Sequence, residues 1–117
     1  MNRTIRISAS AIDPHLFSRM SKKAAAGPSQ YHLSVAAFDK KGDLLGVVSN
    51  SFRRDHIAPV KYSGAHAEMR AVHRWGPKIK TMILMRIGNK GDVLPIDCCP
   101  KCAAVLAKMG IKAIALQ

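Results

Sequence analysis

The first clear pattern of apolar and polar positions along the chain is helical and follows Asp13-Pro14. Apolar side chains recur three and four positions apart, at Leu16, Phe17, Met20 and Ala24. An aspartate can cap a helix N-terminus, and proline suits the first helical position because the N–H that it lacks would have no helical partner there. Gly27-Pro28 ends the pattern. We therefore expect a first helix over about residues 14–26.

Two apolar runs rich in β-forming residues come next, Tyr31–Phe38 and Leu44–Asn50. The segment that joins them, Asp39–Asp43, contains a glycine and two aspartates, which suit a short hairpin turn. The pattern therefore predicts two antiparallel strands. The residues between Asn50 and His66 are polar and are interrupted by proline and glycine, so they are predicted to form a loop.

The second half of the chain alternates between helical patterns and apolar runs. Helices are predicted from His66 to the residue before Gly76-Pro77 and over Cys99–Met109, and strands over Met82–Ile87 and Ile111–Leu116. Strands joined through a helix tend to run parallel, whereas a hairpin pair is antiparallel. The order α-β-β-α-β-α-β therefore predicts an α/β fold with three layers, α-β-α, around a mixed sheet of four to five strands.

Composition adds limits on size, compartment and partners. The 117 residues suit a single domain over residues 1–117, and an odd number of cysteines, three, argues against a disulfide framework. No apolar stretch is long enough to cross a bilayer, so we expect no membrane contact and a cytoplasmic location. The 19 Lys and Arg residues against 7 acidic ones give a net charge of +12, which favours polyanionic partners such as nucleic acid.

Candidate chemistry is concentrated in His66-Ala67-Glu68 and, further along, in Cys99-Pro100-Lys101-Cys102. The imidazole and the two thiolates of Cys99 and Cys102 would leave a tetrahedral zinc one ligand short, and a catalytic zinc activates water at such an open position. Glu68 would then carry protons to and from the reaction. A structural zinc and a redox-active cysteine pair are the alternatives. Both are less favoured, because Cys98 is poorly placed as a fourth ligand and the cysteines come late in the chain for a thioredoxin-like motif.

These two motifs resemble those of the cytidine deaminase-like superfamily, whose zinc enzymes carry His-x-Glu followed by Pro-Cys-x-x-Cys. The resemblance extends from His32 to Leu116 and is most specific at residues 64–71 and 99–106. A histidine as first ligand is more similar to the deoxycytidylate and polynucleotide deaminases than to the tetrameric free-cytidine enzymes. Asp97-Cys98 stands where the family usually has a proline before the first metal cysteine. The resemblance implies zinc as cofactor and hydrolytic conversion of cytosine to uracil.

The resemblance also implies substrate contacts. Asn50 matches the family position that binds the sugar, and Ala67 lies between the predicted ligand and the predicted proton carrier. The loop that precedes the motif adds polar and basic candidates for phosphate binding, namely Arg53, Arg54 and His56.

Four substrate or partner classes remain open from sequence. One of them, adenosine in tRNA, is less favoured, because the deaminases that act on it carry a fuller proline-flanked cysteine motif than this chain. Cytosine in single-stranded DNA or RNA is slightly favoured because of the net charge of +12. Free cytidine, deoxycytidine or their monophosphates are the alternative, and a non-catalytic, zinc-stabilised module that binds nucleic acid is less favoured. The sequence leaves the oligomeric state open, a homo-oligomer included.

Overall fold

The computed structural model describes residues 5–25, 32–49, 67–88, 90–96 and 100–117. These ranges contain three helices: α1 (Pro14–Ala25), α2 (Ala67–Trp75) and α3 (Pro100–Met109). They contain six strands: β1 (Ile5–Ile7), β2 (His32–Phe38), β3 (Leu44–Ser49), β4 (Thr81–Ile87), β5 (Val93–Leu94) and β6 (Lys112–Leu116). Short 3₁₀ turns occur at Ala9–Ala11 and Gly76–Lys78. None of the helices in these ranges combines the length and apolarity needed to cross a bilayer.

All six strands form one sheet with the order β1-β6-β4-β2-β3, and β5 pairs with the end of β4. Strand β2 is antiparallel to β3 and to β4, whereas β4 and β6 are parallel. The predicted antiparallel first pair and parallel second pair are therefore confirmed. The sheet has one strand more than the upper predicted number, because the short strands β1 and β5 add to the four that the pattern places.

Strand β1 has no counterpart among the predicted elements. It is three residues long and pairs parallel with β6, with Ile5 opposite Ile114 and Ile7 opposite Leu116. The Gln117 amide donates to the Ile7 carbonyl at 3.1 Å, so pairing continues past β6. A strand of this length has too little periodicity to be recognised from sequence, and its partner strand defines it.

The two faces of the sheet are covered by different helices. Helix α1 packs on one face, and α2 and α3 pack on the other. Because strand side chains alternate between faces, the central strands contribute to two clusters. The cluster under α1 includes Met20, Ala36, Val47, Ile83, Met85 and Leu116. The cluster under α2 and α3 includes Val35, Ala37, Val48, Ala71, Met82, Leu84 and Leu106. The predicted three-layer α/β architecture is confirmed.

The β2–β3 turn matches its predicted bounds. The Asp39 amide donates to the Asp43 carbonyl at 3.0 Å, and Gly42 has φ of +89°, a conformation that favours glycine. The Asp39 carboxylate accepts hydrogen bonds from the Asp43 and Lys41 amides, both at 2.9 Å. The bond from the Asp43 amide is the largest reason why the pKa of Asp39 lies below its ordinary value.

A close approach between β3 and the end of α2 fixes the position of that helix. A Cβ atom built on Gly46 would lie 2.6 Å from Cζ2 and 3.0 Å from Cη2 of Trp75. Only glycine leaves room for the indole ring at this point of the strand. The contact anchors the C-terminal end of α2, and so helps to place its N-terminal end on the sheet.

Gly46→Ala should lower the free energy of unfolding by about 1–3 kcal/mol, because the added methyl group overpacks against Trp75. Urea unfolding of both proteins measures the difference. Trp75→Phe removes the two atoms that the methyl group would meet, so the same substitution should cost less in that background. Equal costs in the two backgrounds would contradict the proposed clash.

Candidate active site

The first turn of α2 carries a buried carboxylate. Glu68 is 5 % exposed, and its neighbour Ala67 packs into the cluster between α2 and the sheet. Acidic side chains are rarely buried in this way unless a partner compensates for the lost hydration. The N-terminal end of a helix favours negative charge, which eases the cost at this position. Buried acidic side chains of this kind are frequent at functional sites, which is compatible with the predicted role of Glu68.

The first turn of α3 carries a buried cysteine. Pro100 begins the helix, as its missing N–H allows, and Cys102 is 2 % exposed. Leu106, four residues later on the same helix face, belongs to the cluster that also contains Ala67. Cys102 therefore faces the interior between α3 and the sheet. Helix N-termini favour thiolate over thiol, which is the form that binds metals.

The N-terminal ends of α2 and α3 lie at the same edge of the sheet. Their C-terminal ends are held at the edge with the β2–β3 turn: the Lys80 amide donates to the Phe38 carbonyl at 2.8 Å, and the Lys112 amide donates to the Lys80 carbonyl at 2.9 Å. The helices are nine and ten residues long, and each residue advances a helix by about 1.5 Å. Glu68 and Cys102 are therefore brought to the opposite edge, where β3 and β4 end. We call this the site edge.

Most of the predicted site lies outside the described residues. This holds for the metal ligands His66 and Cys99 and for the candidate substrate contacts Asn50, Arg53, Arg54 and His56. No group of three or more His, Cys, Asp or Glu side chains that could hold a metal occurs within the described ranges, which include one of the three predicted ligands. These assignments therefore stay predictions.

The donor set suits zinc. His66 directly precedes α2 and Cys99 directly precedes α3, so each lies next to a helix turn that the structure places at the site edge. One imidazole and two cysteine sulfurs are ligands that zinc prefers, and the buried Glu68 would stand beside them. The three ligands would leave one coordination position open, as a catalytic zinc requires.

Two arginines that the sequence analysis did not single out hold the chain next to the site. Arg70 Nη1 donates to the carbonyl of Ser49 at 2.7 Å, so α2 is tied to the last residue of β3, directly before Asn50. Arg6 Nη1 donates to the carbonyl of Ile96 at 3.1 Å, three residues before Cys99. Arg70 lies within the motif that carries the family resemblance, and this position is the signal for it in the sequence. No signal marks Arg6, because its strand was itself not predicted.

Comparisons with known proteins give one kind of match. No family model matches the chain, and no curated protein matches it. Among solved structures, a mutant of a cytidine deaminase from Mycobacterium tuberculosis is similar, with 18% sequence identity and a TM-score of 0.56. The match covers 91% of this chain and 85% of that one. At such low identity the likeness concerns the fold, which is cytidine deaminase-like as predicted.

Proposed function

We propose that the chain is a zinc-dependent hydrolytic deaminase that converts cytosine to uracil, with single-stranded DNA or RNA slightly favoured as substrate. The observation that carries the proposal is the buried Glu68 at the N-terminal end of α2, at the same sheet edge as the buried Cys102. The cytidine deaminase-like fold supports it, since the similar solved structure is that of a cytidine deaminase.

Glu68 has a defined part in this reaction. His66, Cys99 and Cys102 would hold the zinc, which when bound supplies a Lewis acid that makes water more acidic. The Glu68 carboxylate accepts a proton from the attacking water, whose oxygen adds to C4 of the base. Glu68 passes that proton to the ring nitrogen. It then takes the second proton from the hydroxyl group now on C4 and gives it to the amino group, so ammonia leaves as the C4–N bond breaks and the C4=O bond forms. Cytosine and water thus become uracil and ammonia.

The chain next to Glu68 would hold the nucleotide. Asn50 would bind the sugar. The hydrogen bond from Arg70 to the Ser49 carbonyl would hold the end of β3 in a fixed position beside α2. Ala67 would contact the base, and its small side chain lets the helix lie against the sheet. Arg53, Arg54 and His56 would contact phosphates.

The net charge of +12 supports the polynucleotide substrate over a free nucleotide, because a mononucleotide needs one or two cations only. The same charge would suit a zinc-stabilised nucleic-acid-binding module without catalysis. Such a module has no use for a buried carboxylate beside its metal, so Glu68 favours the enzyme. Thiolate ligands need a reducing compartment, which supports the proposed cytoplasmic location.

The test is to incubate zinc-loaded protein with cytidine, deoxycytidine, their monophosphates and single-stranded DNA and RNA oligomers, and to measure uracil formation. We expect uracil from the oligomers, with an apparent affinity that falls steeply as salt is raised, since several counterions are released on binding. Uracil from monomers alone would replace the polynucleotide by the free nucleotide as substrate. If none of these substrates yields uracil, the proposed cytosine deaminase activity is overturned.

A further inference from the structure

The sheet edge opposite the site edge carries a group of lysines. Three segments meet there: the β2–β3 turn, the residues between α2 and β4, and the residues between α3 and β6. The hydrogen bonds from Lys80 to Phe38 and from Lys112 to Lys80 align these segments side by side. Six exposed lysines lie in these segments or directly beside them: Lys40, Lys41, Lys78, Lys80, Lys108 and Lys112. We call this group the lysine edge.

Few acidic groups balance the lysine edge. Its segments contain two, Asp39 and Asp43. The Asp39 carboxylate is used within the turn, where it accepts two backbone hydrogen bonds at 2.9 Å. The surface is therefore strongly positive, and it lies at the opposite ends of the strands from Glu68 and Cys102.

Helix stabilisation explains only part of this charge. Cations near a helix C-terminus interact favourably with its negative dipole end, which accounts for Lys108 in the last turn of α3 and for Lys78 just after α2. Lys40 and Lys41 lie in a hairpin turn, and Lys80 and Lys112 lie at strand starts, where no helix end calls for a cation. Four of the six lysines thus have no role in helix stability.

The backbone beneath these lysines is fixed by the core. Ile79, between Lys78 and Lys80, is 4 % exposed, and Ile111, directly before Lys112, is 1 % exposed. Each isoleucine belongs to the cluster under α2 and α3. The charges therefore project from anchored positions rather than from a loose tail, which lowers the entropy lost when a partner binds.

We propose that the lysine edge binds the phosphodiester backbone of nucleic acid without regard to sequence. Regularly spaced phosphates suit several ammonium groups at fixed positions. The surface is less suited to a lipid bilayer, because the one large apolar side chain exposed among these segments is that of Met109. The binding does not depend on the proposed deamination. If both hold, the lysine edge retains a polynucleotide at a distance from the reacting base.

The test uses a fluorescent oligo(dA) of about 20 nucleotides, which contains no cytosine and so does not engage the proposed reaction. The triple variant Lys40→Gln/Lys80→Gln/Lys112→Gln removes three charges from the lysine edge. The control variant Lys22→Gln/Lys23→Gln/Lys90→Gln removes the same number of charges from exposed positions on α1 and on the β4–β5 turn. Circular dichroism verifies that both variants are folded.

Anisotropy titrations between about 50 and 200 mM salt give the affinity and its salt dependence. The lysine-edge variant should lose roughly tenfold in affinity, and its log–log salt slope should become shallower by about 2, at about 0.7 per lost phosphate contact. The control should keep a slope close to that of the unmodified protein. Equal losses in both variants would overturn the proposal, since net charge alone would explain binding. An unchanged affinity in the lysine-edge variant would overturn it too, as would stronger binding to phosphatidylserine vesicles than to the oligonucleotide.

Nucleic-acid binding by the lysine edge and the proposed deaminase activity can be tested independently of each other. The lysine-edge variant should deaminate free cytidine at the rate of the unmodified protein if the chain is a deaminase, whatever the result of the binding test. Oligonucleotide binding, in turn, should persist in Glu68→Gln, which cannot complete the proposed reaction.

Discussion

Glu68→Gln should abolish cytosine deamination while leaving the fold intact and the zinc bound. The amide has nearly the same shape as the carboxylate, so the packing around the first turn of α2 is kept. It cannot accept the proton of the attacking water, and general acid–base catalysis contributes about 10²–10⁴-fold to a rate. Because Glu68 serves in more than one proton transfer, kcat should fall by the upper part of this range or more.

The measurement is kcat on cytidine or on a cytosine-containing oligomer, together with zinc content and the free energy of unfolding. Asp43→Asn is the matched control, since it also converts a carboxylate to an amide but lies exposed in the turn at the opposite edge. It should leave kcat unchanged. Removal of a buried charge should leave the stability of Glu68→Gln unchanged or higher. Retention of full activity would exclude Glu68 as the proton carrier.

Cys102→Ser should release the zinc and with it all activity. A buried hydroxyl is a poor substitute for a thiolate ligand, and the binding energy of a metal adds to the folding energy of the domain that holds it. The variant should therefore contain little zinc after purification and should unfold at a lower temperature than the zinc-loaded protein.

Two comparisons make the Cys102 experiment specific. Cys98→Ser removes a cysteine that directly precedes the predicted ligand Cys99 and is not itself a predicted ligand, so it should keep both zinc and activity. A chelator should lower the unfolding temperature of the unmodified protein, but it should have little further effect on Cys102→Ser. Zinc retained by Cys102→Ser, or lost equally by Cys98→Ser, would contradict the ligand assignment.

The larger elements could be predicted from sequence because each carries its own periodic signal. Helix α1 begins at the predicted residue, Pro14, and α3 ends at the predicted residue, Met109. Turn chemistry fixed the β2–β3 hairpin, where Asp39 and Gly42 supply the hydrogen bonds and the backbone conformation that the turn needs. Strands β1 and β5 were missed because three and two residues are too few for a period to show.

The chemistry of the candidate site stays a prediction from sequence, and the side chains that hold the backbone beside it were not predicted. The motif residues Glu68 and Cys102 have chemical types that indicate a role, and their burial is compatible with it. Arg6 and Arg70 act on backbone carbonyls of distant residues, Ile96 and Ser49. Any residue offers a carbonyl, so nothing in the sequence marks such an acceptor. Contacts of this kind arise only when the tertiary fold brings the partners together.

The pairing of β1 with β6 has a consequence for biosynthesis. The two partners lie near opposite ends of the described chain, so β1 leaves the ribosome long before β6 is available. Until then Ile5 and Ile7 have no strand to pair with, and the hydrogen bond from Arg6 to the Ile96 carbonyl cannot form. Closing so long a loop delays this step during folding. Strand β1 should therefore be the last strand of the sheet whose amides acquire protection from hydrogen exchange.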